Sequence, residues 1–294
     1  MRGRYHFLLA CIIFSGCIRR DPYREVKLEN SLLWEISGNG LKSPSYLFGT
    51  NHLVGKRFAD SLPVIGEKFK SCSAVVGEIV IDTTNTHKAR PNWLLTENGL
   101  LQIFTFKEFS AIAESLKHNA GLNLITFNNL KPAGIQLLFL KAIAPKSISA
   151  SNPSLDQYFQ DEGRKRGDKI IGLETFDFQS DLIFGAPIEL QKKQLLSTVA
   201  HLDQARQNID SLNKFYCLQD INRSAKLLLV NQGSTQEEMD KMIKNRDLNW
   251  LNKLPEIIKQ QPTFIAVGVA HLLWDCGLIN QLRLKGFTVK PVKI

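Results

Sequence analysis

The sequence predicts an α/β fold: a mixed β-sheet made of two related strand–Gly-x-x-His–helix–strand halves, with a large helical insert between them. Three observations carry this expectation. An apolar strand runs into Gly49-Thr50-Asn51-His52 near the start, and another runs into Gly268-Val269-Ala270-His271 about 220 residues later. Each motif is followed by a helical stretch and a further strand. Between the halves the pattern changes from the short apolar runs of strands to the longer spacing of helices. A length of 294 residues is enough for one large domain or two small ones with a real core, and the hydrophobic fraction of 44% excludes a disordered chain or a multi-span membrane protein. The matching halves point to one domain with a split core.

Taken in order, Leu32-Leu33-Trp34-Glu35-Ile36 reads as a strand, Gly38-Asn39-Gly40 as a turn and Ser45-Tyr46-Leu47-Phe48-Gly49 as a second strand, together a β-hairpin. A short helix is expected over 61–71, then a buried strand over 74–81 that contains Glu78. Residues 93–165 read as mainly helical, punctuated by Pro132 and Pro145, and 168–173 return as a strand. Helical spacing resumes over 187–230 and 235–260. A strand over 263–267, a helix over 273–285 and a strand over 287–292 close the chain. A parallel sheet with right-handed crossovers would bring both Gly-x-x-His loops to one edge.

The N-terminus has a separate logic. Arg2 and Arg4 precede an apolar stretch over 7–14, too short to span a bilayer as a finished helix but suited to export. Ser15-Gly16-Cys17 resembles the lipobox of bacterial lipoproteins, with Phe14 where leucine is usual. That resemblance implies cleavage before Cys17, lipidation of its thiol, and an extracytoplasmic protein anchored at the cell envelope with the membrane as a partner. Residues 1–16 are then a signal peptide, 17–29 a polar tether and 30–294 the domain. Arg19, Arg20 and Arg24 would lie beside anionic headgroups. The net charge of +9 reads as a solvated, basic surface. No dense basic run with interleaved aromatics occurs, so nucleic acid is not an expected partner. The five cysteines, at 11, 17, 72, 217 and 276, show no paired metal-binding spacing, and no structural disulfide is expected among the last three.

The chemistry concentrates at the strand ends. Glycine there permits a sharp turn or a close backbone approach, and a histidine three positions on projects from the carboxyl edge, where open α/β sheets bind ligands. A lone histidine is more often structural. Two in matching contexts point to a shared site, since imidazole is the commonest metal ligand. The remaining histidines, at 6, 87, 118 and 201, lie in the signal, a polar loop or helical stretches and read as ordinary. Glu78, inside an otherwise apolar strand, needs either a solvent-facing position or a partner such as a metal ion or an arginine. Glu174, in Gly172-Leu173-Glu174-Thr175, stands at another strand end, and Arg246 lies on a late helix near Asn249 and Trp250.

These segments, with Leu155-Asp156-Gln157-Tyr158, resemble the TraB/GumN family, which includes the TIKI-type metalloproteases, in the correct order from about residue 31 to 292. The resemblance implies divalent-metal-dependent hydrolysis of a peptide or protein substrate, with manganese or cobalt favoured and zinc as a third candidate. It carries His52, His271 and Glu78 onto the metal site, with Glu78 either a ligand or the general base. Glu174 and Arg246 are expected to orient ligands or to stabilise a tetrahedral oxyanion. Two positions depart from the family pattern: Asn51 replaces the apolar residue common before the first histidine, and Asp247 follows Arg246 where asparagine is frequent. The alternative is a non-catalytic, surface-anchored protein that sequesters a peptide, as in the pheromone-shutdown role associated with TraB-like proteins.

Overall fold

In the computed structural model, which describes residues 21–81, 91–97, 99–231 and 235–294, six strands form one sheet. They are β1 (Leu33–Ser37), β2 (Ser45–Thr50), β3 (Ala74–Gly77), β4 (Lys169–Gly172), β5 (Thr263–Gly268) and β6 (Thr288–Pro291), in the spatial order β4-β3-β5-β2-β1-β6. β4, β3, β5 and β2 run parallel, and β1 is antiparallel to both β2 and β6. The sheet is therefore mixed, and β1–β2 is the expected hairpin. The three parallel strands β3, β5 and β2 are buried almost throughout, which is why they read as continuous apolar runs rather than alternations.

The two halves interleave. β2 from the first pairs directly with β5 from the second, from Tyr46↔Phe264 to Thr50↔Gly268, so the two Gly-x-x-His loops leave the sheet side by side. The register sets Thr50, not Gly49, opposite Gly268, so the two motifs are offset by one residue.

Two hydrophobic clusters fill the protein. The larger lies on the sheet, where Phe159 packs on Phe264 with ring centroids 4.7 Å apart and also meets Phe48 and Phe69. The smaller, including Leu100, Phe109, Ile135, Phe139 and Leu195, lies among the helices Phe106–Ala120, Pro132–Ile143 and Ile188–Ala200. The helical insert thus has a core of its own.

Several boundaries differ from expectation. The strand over 74–81 stops at Gly77, because beyond it the side chain of Gln160, not a neighbouring strand, takes the Ile79 carbonyl and the Ile81 amide. Glu78 is therefore not inside a strand but just beyond its carboxyl end. The helix expected over 273–285 is only Leu278–Leu284, preceded by a 3₁₀ turn at Val269–Leu272. Trp274 has a φ of 66°, and the amides of Asp275 and Cys276 donate to the carbonyls of Arg24 and Pro22, which draws them out of any helix. The helical stretch over 235–260 is broken. A π-helical turn at Asp240–Lys244 interrupts it, and it stops at Trp250 before restarting as Leu254–Gln260, with Pro255 in the first turn.

The same contacts bear on residues 21–29, expected as a tether. Tyr23 and Leu28 are buried, and Tyr23 packs edge-on against Trp274, so the packed body starts before residue 30. The signal reading and Cys17 lie outside the described residues. Cys72, Cys217 and Cys276 are free thiols, and burial pushes those of Cys72 and Cys276 up to about 12. No helix among the described residues is long and apolar enough to cross a membrane.

Candidate functional site

The carboxyl ends of the four parallel strands β4, β3, β5 and β2 converge on one place. His52 follows β2 by two residues, Glu78 follows β3 directly, Glu174 follows β4 by two and His271 follows β5 by three. Arg246 enters from the helix Asn245–Trp250, directly after the π-helical turn. Its guanidinium joins the groups: Nη2 lies 2.6 Å from Glu78 Oε2 and 2.9 Å from Glu174 Oε2, and Nη1 donates to the Met242 carbonyl and to His271 Nε2, both at 3.1 Å. All five residues singled out from the sequence meet here. The Arg246 guanidinium also lies over the Trp250 ring, which in turn packs against the His271 imidazole at 4.3 Å.

The two motif glycines serve close approach rather than a left-handed turn. A methyl on Gly268 would stand 3.1 Å from Glu78 Oε1, 3.6 Å from His271 Cδ2 and 3.9 Å from His52 Nε2, so this one point is where the three side chains converge. The Gly268 amide also donates to Glu78 Oε1 at 2.8 Å. A methyl on Gly49 would press on Val269, 3.1 Å from its Cα, so Gly49 lets the 3₁₀ turn that carries His271 settle on β2.

Two residues that sequence reasoning did not assign hold the imidazoles. Asp156 accepts from Thr50 Oγ1 at 2.6 Å and pairs with His52 Nδ1 at 2.8 Å. It stands in the first turn of the helix Leu155–Arg166, capped by Ser154, where the helix dipole favours an anion. Asp247, fully buried, pairs with His271 Nδ1 at 2.6 Å. Because an arginine can only donate, His271 Nε2 accepts from Arg246, which puts the ring proton on Nδ1, facing Asp247. Asp156 lies in a segment that carried the family resemblance, and Asp247 at a departure from it; each could have been found as a carboxylate beside a motif. Asn51, the other departure, ties the first loop down by donating to Asn213 at 2.8 Å and accepting from the Leu53 amide. Gln179, also unassigned, donates to Glu78 at 2.9 Å and to Glu174 at 3.2 Å.

The electrostatics follow from these contacts. The His52 side chain is 68% accessible because it stands in the open space of the cavity, and the Asp156 carboxylate beside it raises its pKa from 6.5 to about 9. Burial works to raise Glu78, but His271, His52 and Arg246, with the Gly268 amide, outweigh it and bring the carboxyl down to about 2. For Asp247 burial wins over the pull of His271 and lifts it to about 6, and its Oδ2 has no hydrogen-bond partner among the described residues. Four carboxylates, Glu78, Glu174, Asp156 and Asp247, thus surround one guanidinium and two imidazoles, a balance that draws in further positive charge.

A cavity of about 960 Å³ opens over these groups, with the helical insert contributing its apolar wall, including Leu137, Leu140, Ile209 and Leu212. The donor set suits a divalent ion: two imidazoles clamped at Nδ1 by carboxylates, each with Nε2 turned inward, and a carboxylate oxygen at the same point. Arg246 nevertheless occupies part of that place. It touches His271 Nε2, which lies 3.8 Å from Glu78 Oε1, and no three metal-binding side chains among the described residues are arranged to hold an ion as they stand.

The TraB/PrgY/gumN sequence model matches residues 32–291, nearly the whole described chain. The chain belongs to the TraB/PrgY/gumN family. The match takes in both Gly-x-x-His motifs, Glu78, Glu174 and Arg246. No curated protein and no solved structure matches the chain.

Proposed function

We propose that this TraB/PrgY/gumN protein is a divalent-metal-dependent hydrolase of a peptide or protein substrate, with His52, His271 and Glu78 holding the ion and manganese or cobalt preferred over zinc. The observation that carries the reading is the pair of imidazole–carboxylate clamps, His52–Asp156 and His271–Asp247, which fix both rings with Nε2 towards Glu78 and the cavity. When bound, the ion would polarise a substrate carbonyl and acidify a nearby water. The protein's own groups do the rest. Glu78 Oε1 lies at the point of convergence, placed to ligate or to take a proton. Arg246, held by Glu174 and Glu78, presents a guanidinium to negative charge developing on the carbonyl oxygen. Gln179 and the Gly268 amide keep Glu78 in place, and the apolar wall of the insert gives the cavity a surface for apolar parts of a peptide.

The test is a panel of internally quenched peptides incubated with chelator-treated protein, alone and with manganese, cobalt or zinc. Metal-dependent cleavage that His52→Ala and His271→Ala each reduce by a hundredfold or more supports the reading. Cleavage that survives both substitutions, or none with any ion, counts against it. One observation favours a second reading, a sequestering protein without catalysis: Arg246 fills the place beside His271 Nε2 with a permanent cation. Peptide binding that is indifferent to metal and chelator, with no cleavage, would select it. In either case we place the protein at the cell envelope through a lipid on Cys17. Palmitate labelling of the wild type that Cys17→Ser abolishes supports this, and an unlabelled wild type overturns it.

A further inference from the structure

We propose that a second chamber, walled by Trp93, Phe176 and Phe184, is a specificity pocket that takes one large apolar side chain of the substrate beside the reacting groups. The inference rests on the hydrolase reading only in calling the bound peptide a substrate. The chamber has a volume of about 340 Å³, at the small end for a ligand pocket and ample for a single leucine-, methionine- or phenylalanine-sized group. It adjoins the main cavity, because Leu137 lines both. It also adjoins the chemistry: Gln179 lines it, and the same side chain donates to Glu78 and Glu174. A substrate whose reacting carbonyl lies near Glu78 would have a neighbouring side chain at this opening.

The wall chemistry selects the occupant. Trp93 stacks on Phe184 with centroids 5.4 Å apart and leans on Phe176 at 6.2 Å, so aromatic faces make one side. The polar side chains of the lining are engaged outside the chamber or with each other: the Gln179 amide donates to Glu78 and Glu174, Trp93 Nε1 donates to Ser180 Oγ at 2.7 Å, and Ser180 donates to Asn92 at 3.1 Å. Leu130, Leu138 and Ile183 also line it, and among the described residues of the lining none is charged. A charged side chain would lose its hydration there without gaining an opposite charge from the described lining residues, whereas an apolar one gains by leaving water. Gly134 forms part of the lining inside the helix Pro132–Ile143. A methyl there would come no closer than 3.5 Å to its neighbours, so the missing side chain is room for a ligand rather than a requirement of packing.

The test uses metal-free full-length protein and two blocked pentapeptides that differ only at the central residue, 4-bromophenylalanine or alanine. Trp34, Trp250 and Trp274 are at most 2% exposed, so contact quenching by bromine reports Trp93. Saturable quenching by the bromophenylalanine peptide and none by the alanine analogue is expected. Gly134→Leu, which fills the chamber, and Ile183→Arg, which sets a charge at an exposed part of its lining, should each weaken that binding about tenfold or more. Gly134→Ala should fold as the wild type does and change binding by a few-fold at most. Wild-type protein that fails to distinguish the peptides, or full affinity in both Gly134→Leu and Ile183→Arg, would overturn the proposal. Cleavage of the same peptides with manganese separates it from the hydrolase reading: discrimination in binding without cleavage sinks only the latter, and cleavage without discrimination sinks only the pocket.

Discussion

Replacing Arg246 by methionine, similar in length but uncharged, removes the cation between two buried carboxylates. Arg246 is 5% exposed, with Glu78 at 2.6 Å and Glu174 at 2.9 Å. Removing one partner from a buried ion pair costs about 3–5 kcal/mol, because the other charge is left unpaired. For a domain of this size each kcal/mol shifts Tm by about 2–4 °C, so the loss corresponds to about 10 °C. Urea unfolding followed by circular dichroism, in the presence of chelator, measures it directly. The pH dependence gives the sign. Glu78 is lowered from 4.5 to about 2 in the native protein, so its stabilisation is complete above pH 4.5 and lost as pH falls through about 2. Arg246→Met forfeits its share of that contribution, so the gap between the two proteins should be widest near neutrality and close in acid. A loss below about 1 kcal/mol, or one that is the same at pH 7 and pH 3, would refute the claim that this guanidinium neutralises buried carboxylates.

Two further predictions concern the imidazoles and the glycines. Asp156→Asn should return the His52 titration, followed by histidine NMR in metal-free protein, from about 9 towards the ordinary 6.5, since Asp156 is the main cause of the rise. The stabilisation from the His52–Asp156 pair is therefore present in full below about pH 6.5 and lost as pH rises through about 9, and the variant should lack this dependence. Gly268→Ala should cost about 1 kcal/mol or less in urea unfolding, because only the end of the Glu78 side chain must give way, yet weaken any bound ion about tenfold or more by filling the point of convergence. Gly49→Ala should instead cost about 1–3 kcal/mol, because its methyl meets the Val269 backbone; equal stability losses at the two glycines would contradict this division.

Much of this was legible in the sequence where one signal is local and periodic. The runs that became β2 and β5 have continuous apolar centres because both faces are covered, and the glycine near the end of each marks the place where distant segments come close. Two equivalent motifs far apart in sequence implied a shared edge, and the direct β2–β5 pairing is the reason they share it. What the sequence did not reveal depends on contacts between distant segments. Nothing near Trp274 forecasts its left-handed conformation, since the carbonyls that capture the next two amides come from Pro22 and Arg24. Glu78 read as a strand residue because the run continues with Ile79, Val80 and Ile81; only the Gln160 amide, from a helix about 80 residues away, takes that segment out of the sheet. Asp156, Asp247 and Gln179 are ordinary polar residues on helices until the fold sets them against His52, His271 and Glu78.

The central claim, that two clamped imidazoles and Glu78 form one metal site, is tested most directly by manganese binding to chelator-treated full-length protein, followed by electron paramagnetic resonance of the free ion. The wild type should bind one ion per chain. Binding should be lost in His52→Ala, His271→Ala and Glu78→Gln, and weakened about 10–100-fold in Asp156→Asn and Asp247→Asn, which release only the clamps. No stoichiometric binding by the wild type, or binding that persists unchanged in Glu78→Gln and either histidine variant, would contradict it.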